Sequence, residues 1–152
     1  MAAVEYLGNR GLLEGELTAF LAPGRVELLS VLPTLDWAAA MSREGRTVVS
    51  GFSSRLERDV WDVLARGNSP IVKVVVTSRY KVVPTVYRPL LEQGRLLLVC
   101  LGWGARLDRR LAARRNAYVA RLAGEVVFPS MHEGSSLWPL YRSLPSATVL
   151  SF

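Results

Sequence analysis

The segment Thr47-Val48-Val49-Ser50-Gly51-Phe52-Ser53-Ser54 constrains this chain more than any other, because a buried strand there breaks at glycine and runs straight into a helix cap. Apolar and β-branched positions make the strand, and Gly51 permits a tight turn without a side chain. Ser54 then opens a capping box, since Glu57 lies three residues on and can return a hydrogen bond to the cap. A strand, a glycine turn and a helix N-terminus leave backbone N–H groups free at the end of a sheet. Such ends favour phosphate or carboxylate, through unpaired donors and the helix dipole together. The chain reads first as an anion or nucleotide binder.

The same alternation continues along the chain. Glu16 to Ala22 reads as a strand ending at Pro23-Gly24-Arg25, and Thr34 to Glu44 as a helix closed by Gly45. A strand at Arg46 to Ser50 precedes a helix from Arg55 to Arg66, where Leu56, Val60, Val63 and Leu64 recur at helical spacing and Gly67 takes the C′ place. Ile71 to Val76 is a continuous β-branched run broken only by Lys73. A helix over Thr85 to Gln93, a strand over Arg95 to Leu101 and a long helix over Leu107 to Ala123 follow. Glu125 to Phe128, Leu137 to Ser143 and Ala147 to Ser151 read as strand, short helix and last strand. Strands apolar throughout and separated by single helices imply a parallel sheet covered on both sides. The expected fold is α/β, a doubly wound, mostly parallel sheet of about six strands with helices on both faces, Rossmann-like, in one domain spanning residues 1–152.

Half of the 152 residues are apolar and 21% are charged, which excludes disorder. The longest apolar run, Leu96 to Trp103, falls far short of the roughly 20 residues of a membrane span. Met1-Ala2-Ala3-Val4-Glu5-Tyr6 has neither a basic nor a long apolar region, so no secretory signal is expected. The single cysteine, Cys100, cannot form an internal disulfide, and the expected setting is the cytoplasm. The net charge of +6 is carried by arginine, with Lys73 and Lys81 the only lysines. Arginine suits bidentate recognition of phosphate, although a GC-rich genome would also favour it over lysine.

In a doubly wound sheet, ligands sit outside the carboxyl ends of the strands. The candidate loops are therefore Pro23-Gly24-Arg25, Gly51 to Ser54, Thr77-Ser78-Arg79, Gly102 to Arg106 and Ser130 to Ser136. Glycines and serines at helix starts with nearby arginines describe a phosphate site better than a proton-transfer site. On the long helix, Leu107, Leu111, Tyr118 and Leu122 share one stripe that should face the sheet. Arg106, Arg110, Arg114 and Arg121 lie on a neighbouring stripe, either a solvated face or a patch that tracks a nucleic-acid backbone. Arg115 falls inside the apolar stripe, where it either snorkels past the helix end or reaches the ligand crevice from within. Asn116 beside it can donate and accept. His132 is the only histidine; with Glu133 it is the one weak candidate pair for moving a proton, and otherwise an ordinary loop residue. One histidine and one cysteine without a cluster make no metal site, the glycine fingerprints of dinucleotide and phosphate loops are absent, and no cofactor is expected.

Ser50-Gly51, the Arg115-Asn116 pair after arginines in a long helix, and the Gly134-Ser135 turn resemble, in order and spacing, the Rossmann-like domain of the DNA-processing protein A (Smf) family. That domain belongs to a wider superfamily that also holds the "lonely guy" phosphoribohydrolases. The resemblance runs from about Glu16 to the C-terminus. It implies a single-stranded DNA binder that helps load a recombinase, with a basic pocket at the C-terminal edge of the sheet. By position, Ser50 and Gly51 match the family's serine-glycine turn, Arg115 and Asn116 the first two residues of its arginine-asparagine-arginine motif, and Gly134 and Ser135 its glycine-serine turn. The third motif residue is Ala117 here. The family's glycine-serine-arginine is represented by Pro23-Gly24-Arg25, or upstream by Gly8-Asn9-Arg10. The flanking helical and winged-helix domains are not expected in this length. The phosphoribohydrolase double glycine is missing from Pro129 to Ser136, and Glu133 precedes the turn instead of following it.

The leading reading is a non-enzymatic module that binds a nucleotide or single-stranded nucleic acid. Gly24, Gly51, Ser53, Ser54 and Ser136 would offer donors, and Arg25, Arg55 and Arg115 charge. The second reading is an enzyme acting on a nucleoside phosphate through His132 or Glu133. The third is a protein-binding or homodimeric subunit, associating through a patch of Trp103, Phe128, Trp138 and Tyr141. No membrane partner is expected.

Overall fold

The computed structural model describes residues 3–151, so Met1 and Ala2 of the N-terminal segment read above lie outside the described residues. Seven strands, β1 (Glu5–Gly8), β2 (Leu17–Phe20), β3 (Thr47–Ser50), β4 (Ile71–Val75), β5 (Leu96–Cys100), β6 (Glu125–Phe128) and β7 (Thr148–Val149), form one sheet in the order β1-β5-β4-β3-β2-β6-β7. All neighbours run parallel except β1, which pairs antiparallel with β5. Five α-helices accompany them: α1 (Val31–Glu44), α2 (Arg55–Arg66), α3 (Arg88–Glu92), α4 (Arg109–Leu122) and α5 (Trp138–Ser143).

Successive strand residues enter opposite cores, as the period of two requires. Phe20, Val48, Ile71 and Leu98 pack against Met41 of α1, Leu56 and Leu64 of α2, and Leu90 of α3. Leu17, Val49, Val72 and Leu97 pack on the other side against Val119 of α4 and Leu137 before α5. The sheet is covered on both faces and the α/β, doubly wound reading holds, with one strand more than expected.

That strand is β1. Glu-Tyr-Leu-Gly is too short for its alternation to register, and only pairing with β5, Glu5 opposite Cys100 and Gly8 opposite Leu97, makes it extended. Other boundaries move for identifiable reasons. Helix α1 starts at Val31, three residues early, because a 3₁₀ turn over Leu28–Ser30 leads into it. The helix expected over Thr85–Gln93 is a 3₁₀ turn at Thr85–Tyr87 followed by α3. Helix α4 starts at Arg109, since Asp108 accepts the amide of Leu111 at 2.8 Å and caps it. Leu107 therefore lies in the loop, 41% exposed, instead of facing the sheet. The last strand keeps only Thr148 and Val149.

Gly67 caps α2, but not in the left-handed conformation expected of a C′ glycine. Its reason is steric: a Cβ there would overlap Oγ of Ser42 on α1, which accepts the Asn68 amide at 3.0 Å.

Candidate nucleic-acid interface

From β2 the chain passes to β3, β4 and β5 on one side of the sheet and places β6 and β7 on the other. The switch point therefore lies between β2 and β6, and the loops after these two strands flank it. A crevice of about 200 Å³ opens there, lined by Pro23, Arg25, Val26, Glu27, Ser130, His132 and Ser135. Arg25 is exposed in it, and Gly24 beside it has open space where a side chain would stand. The alternative match, Gly8-Asn9-Arg10, belongs to the opposite end of the sheet. Asn9 donates to Gly94 O at 2.8 Å, and its amide donates to Leu96 O at the start of β5.

The loop after β6 is a self-supporting turn. Nδ1 of His132 accepts the Gly134 amide at 3.1 Å, and the Ser135 amide donates to His132 O at 3.0 Å. Ser135 Oγ accepts the Leu137 amide at 3.2 Å ahead of α5. With Nδ1 accepting, the proton of the neutral ring sits on Nε2. Gly134, Ser136 and Glu133 are exposed.

The loop after β3 is built inward, which changes the expectation of free amides. Glu57, 1% exposed, turns its carboxylate back over the start of α2. Oε1 accepts the amides of Ser53 (2.9 Å) and Ser54 (3.1 Å), and Oε2 accepts the amide of Ala22 at the end of β2 (2.9 Å). The capping box is present, but its carboxylate occupies the place an external anion was expected to take. Ser50 Oγ accepts the Phe52 amide at 3.1 Å, and Ser54 Oγ the Glu57 amide at 3.4 Å. The strained residue of the turn is Phe52, with φ of 49°, and not Gly51.

Gly51 is glycine because Arg115 lies against it. A Cβ would overlap Cζ and Nε of that guanidinium. Arg115 crosses from α4, 4% exposed, and its Nη2 donates to Ser53 Oγ at 3.0 Å and to Asn116 Oδ1 at 3.1 Å. Its Nε is buried without a hydrogen-bond partner. Burial pushes the guanidinium below its usual pKa, and the Glu57 carboxylate acts in the opposite direction. Arg115 thus sits under the β3 loop and fixes it. Arg55 lines a different crevice from Arg25, beside Phe52 and Trp61.

Apart from Arg115, the arginines of α4 are exposed, and two of them are arranged with aromatics. Arg114 lies over Trp103 at 4.3 Å and Arg121 over Tyr118 at 5.9 Å, while the two rings meet edge-on at 6.1 Å. Arg110 shares the exposed face, and Arg106 lies in the loop before the helix. Trp138 and Tyr141 stack on each other, next to buried Phe128, so the four aromatics form two groups instead of one patch.

The Thr77-Ser78-Arg79 loop after β4 leads to Tyr80, whose phenol is pushed up to about 12 by burial and by the neighbouring Tyr87. A folded pKa above the unfolded one near 10 contributes stability that is complete below pH 10 and lost as pH rises through 12. An alkaline titration followed at 295 nm should show a late phase beyond the exposed phenols, to which Tyr87 and Tyr118, also pushed up by burial, contribute, and Tyr80→Phe should remove one tyrosine's amplitude from it.

No family model and no curated protein sequence matches the chain. Solved structures do. DNA processing protein A from Helicobacter pylori, described for its single-stranded DNA binding mode, shares 17% identity over 87% of this chain with a TM-score of 0.64. DNA processing protein A from Streptococcus pneumoniae shares 15% over 91%, with a TM-score of 0.67. The Moco carrier protein of Chlamydomonas reinhardtii shares 10% over 90%, with a TM-score of 0.57. The chain spans 62% and 50% of the two DNA processing proteins and 77% of the carrier. At these identities the likeness is one of fold: the chain has the Rossmann-like fold of DNA processing protein A. Among the described residues no helix is long and apolar enough to cross a membrane.

Proposed function

We propose that this chain is a single-stranded nucleic-acid-binding module without catalytic activity, in which the strand runs from the switch-point crevice along the exposed face of α4. The observation that carries this reading is the interleaving of Arg114 and Arg121 with Trp103 and Tyr118. Arginine neutralises the backbone, and aromatic faces stack bases of any sequence. Helix α4 follows β5, so its Arg110 end lies toward the carboxyl edge of the sheet, the edge that also carries the loops with Arg25 and Ser135. The fold shared with a single-stranded DNA-binding protein supports the same assignment, as does the net charge of +6. The wider role this reading carries is in DNA uptake or recombination, in the cytoplasm. A homodimer would extend the basic face over a longer strand.

Fluorescence anisotropy of a labelled single-stranded oligonucleotide, titrated between 50 and 200 mM salt, is the test. The unmodified protein should bind with a steep salt dependence. Arg110→Ala with Arg114→Ala should weaken binding and flatten the log–log slope by about 1.4, at about 0.7 for each phosphate no longer neutralised. Flat traces at low salt would sink the proposal.

A further inference from the structure

Lys73 is the residue that the fold does not account for. It interrupts β4 between Val72 and Val74, on the same side of the sheet as Ile71, where α2 and α3 pack. A lysine there is costly, since the position is one where apolar side chains are otherwise buried. Burial pushes its ammonium below the usual pKa. Its Nζ donates to the Tyr87 hydroxyl at 2.7 Å and sits 5.2 Å from the Tyr87 ring centroid and 5.7 Å from that of Trp61. An ammonium has three donors, so the Tyr87 bond leaves capacity for an acceptor.

That ammonium opens into a crevice of about 670 Å³, within the range of sites for small organic ligands. Phe52, Trp61 and Tyr87 form one wall, with Trp61 meeting Phe52 at 5.2 Å and Tyr87 at 5.6 Å, both edge-to-face. Arg55 and Arg58, from the first turn of α2, stand on the rim with Asp59 and Asp62. Three cations outnumber the two carboxylates, and the carboxylates can accept from sugar hydroxyls or exocyclic amino groups.

We infer that this crevice is a nucleotide pocket: a base packs against the Trp61 and Tyr87 wall while its phosphate meets Lys73 and the arginines of the α2 turn. The inference rests on the nucleic-acid reading above for the choice of a base as the flat group. The nucleotide is either free or one unit of a bound strand. The pocket is lined by none of the switch-point residues, so the two sites can be tested apart.

The probes are deoxyadenosine monophosphate, followed by calorimetry and by tryptophan fluorescence, and the labelled oligonucleotide. The variants are Lys73→Met and Val86→Glu. The second adds a negative charge at a rim position that is 69% exposed and carries no risk to the core. Both should weaken mononucleotide binding at least tenfold. Lys73→Met should also keep or raise the thermal midpoint, because an apolar side chain of similar length suits a buried strand position better than an ammonium does. A purely structural lysine would give the opposite result, a lower midpoint. If the pocket holds a unit of the strand, the mononucleotide competes with the oligonucleotide and both variants weaken the oligonucleotide too. If it holds a free nucleotide, only mononucleotide binding changes. Mononucleotide and oligonucleotide affinities that are both indifferent to the two variants would overturn the inference, while oligonucleotide binding that still depends on Arg110 and Arg114 would leave the strand reading standing.

Discussion

Replacing Glu57 by glutamine should destabilise the protein by about 3–5 kcal/mol, more than any exposed arginine substitution. Three backbone amides, from Ala22, Ser53 and Ser54, converge on two carboxylate oxygens that are 1% exposed. A glutamine supplies one oxygen and turns an NH₂ group toward at least one of those amides, so a donor faces a donor. It also removes the nearby negative charge that favours the buried Arg115 guanidinium. In a chain of this size the thermal midpoint should fall on the order of 10 °C. Shortening to aspartate should be nearly as harmful, because the carboxylate must span the ends of β2 and β3 from one side chain. Urea denaturation reads the effect directly. A midpoint within error of the parent would mean that the carboxylate is not holding these loops together.

Gly51→Ala should be the second large effect, costing about 1–3 kcal/mol by overpacking. The added Cβ meets the guanidinium of Arg115, which is 4% exposed and has no open space to retreat into without losing its bonds to Ser53 and Asn116. The diagnostic measurement is a double-mutant cycle. In an Arg115→Ala background the alanine at 51 should cost less than half as much, because the collision partner is gone. Equal costs in both backgrounds would place the strain in the backbone of the turn instead.

These two residues also mark where sequence reading stops. β2 to β6 are legible because continuous β-branched and leucine runs have no other economical use, and their separation by single helices implies the parallel, two-sided sheet. The capping box at Ser54 and Glu57 is legible as a local pattern. Its third bond, to Ala22, is not, because it joins segments that only the β2–β3 pairing brings together. For the same reason a loop that looks open to anions holds one of its own. Arg115 stands out as a charge inside an apolar stripe, yet periodicity cannot say which strand end a long side chain reaches. Gly51 reads as a turn former, whereas its contact with Arg115 is tertiary. Lys73 is visible only as an interruption in β4; the tyrosine and tryptophan that flank its ammonium come from the 3₁₀ turn before α3 and from α2.

The placement of β1 sets an order of assembly. Strand β1 is the neighbour of β5, with Glu5 opposite Cys100, so during synthesis it has no partner until the intervening βα units and β5 have emerged. Until then the β5 edge is open, and closing so long a loop makes this pairing slow relative to the local βα contacts. Cys100, opposite Glu5 and fully buried in the finished fold, is a probe at that edge. The rate at which its thiol escapes a maleimide during refolding reports when the edge of the sheet is sealed.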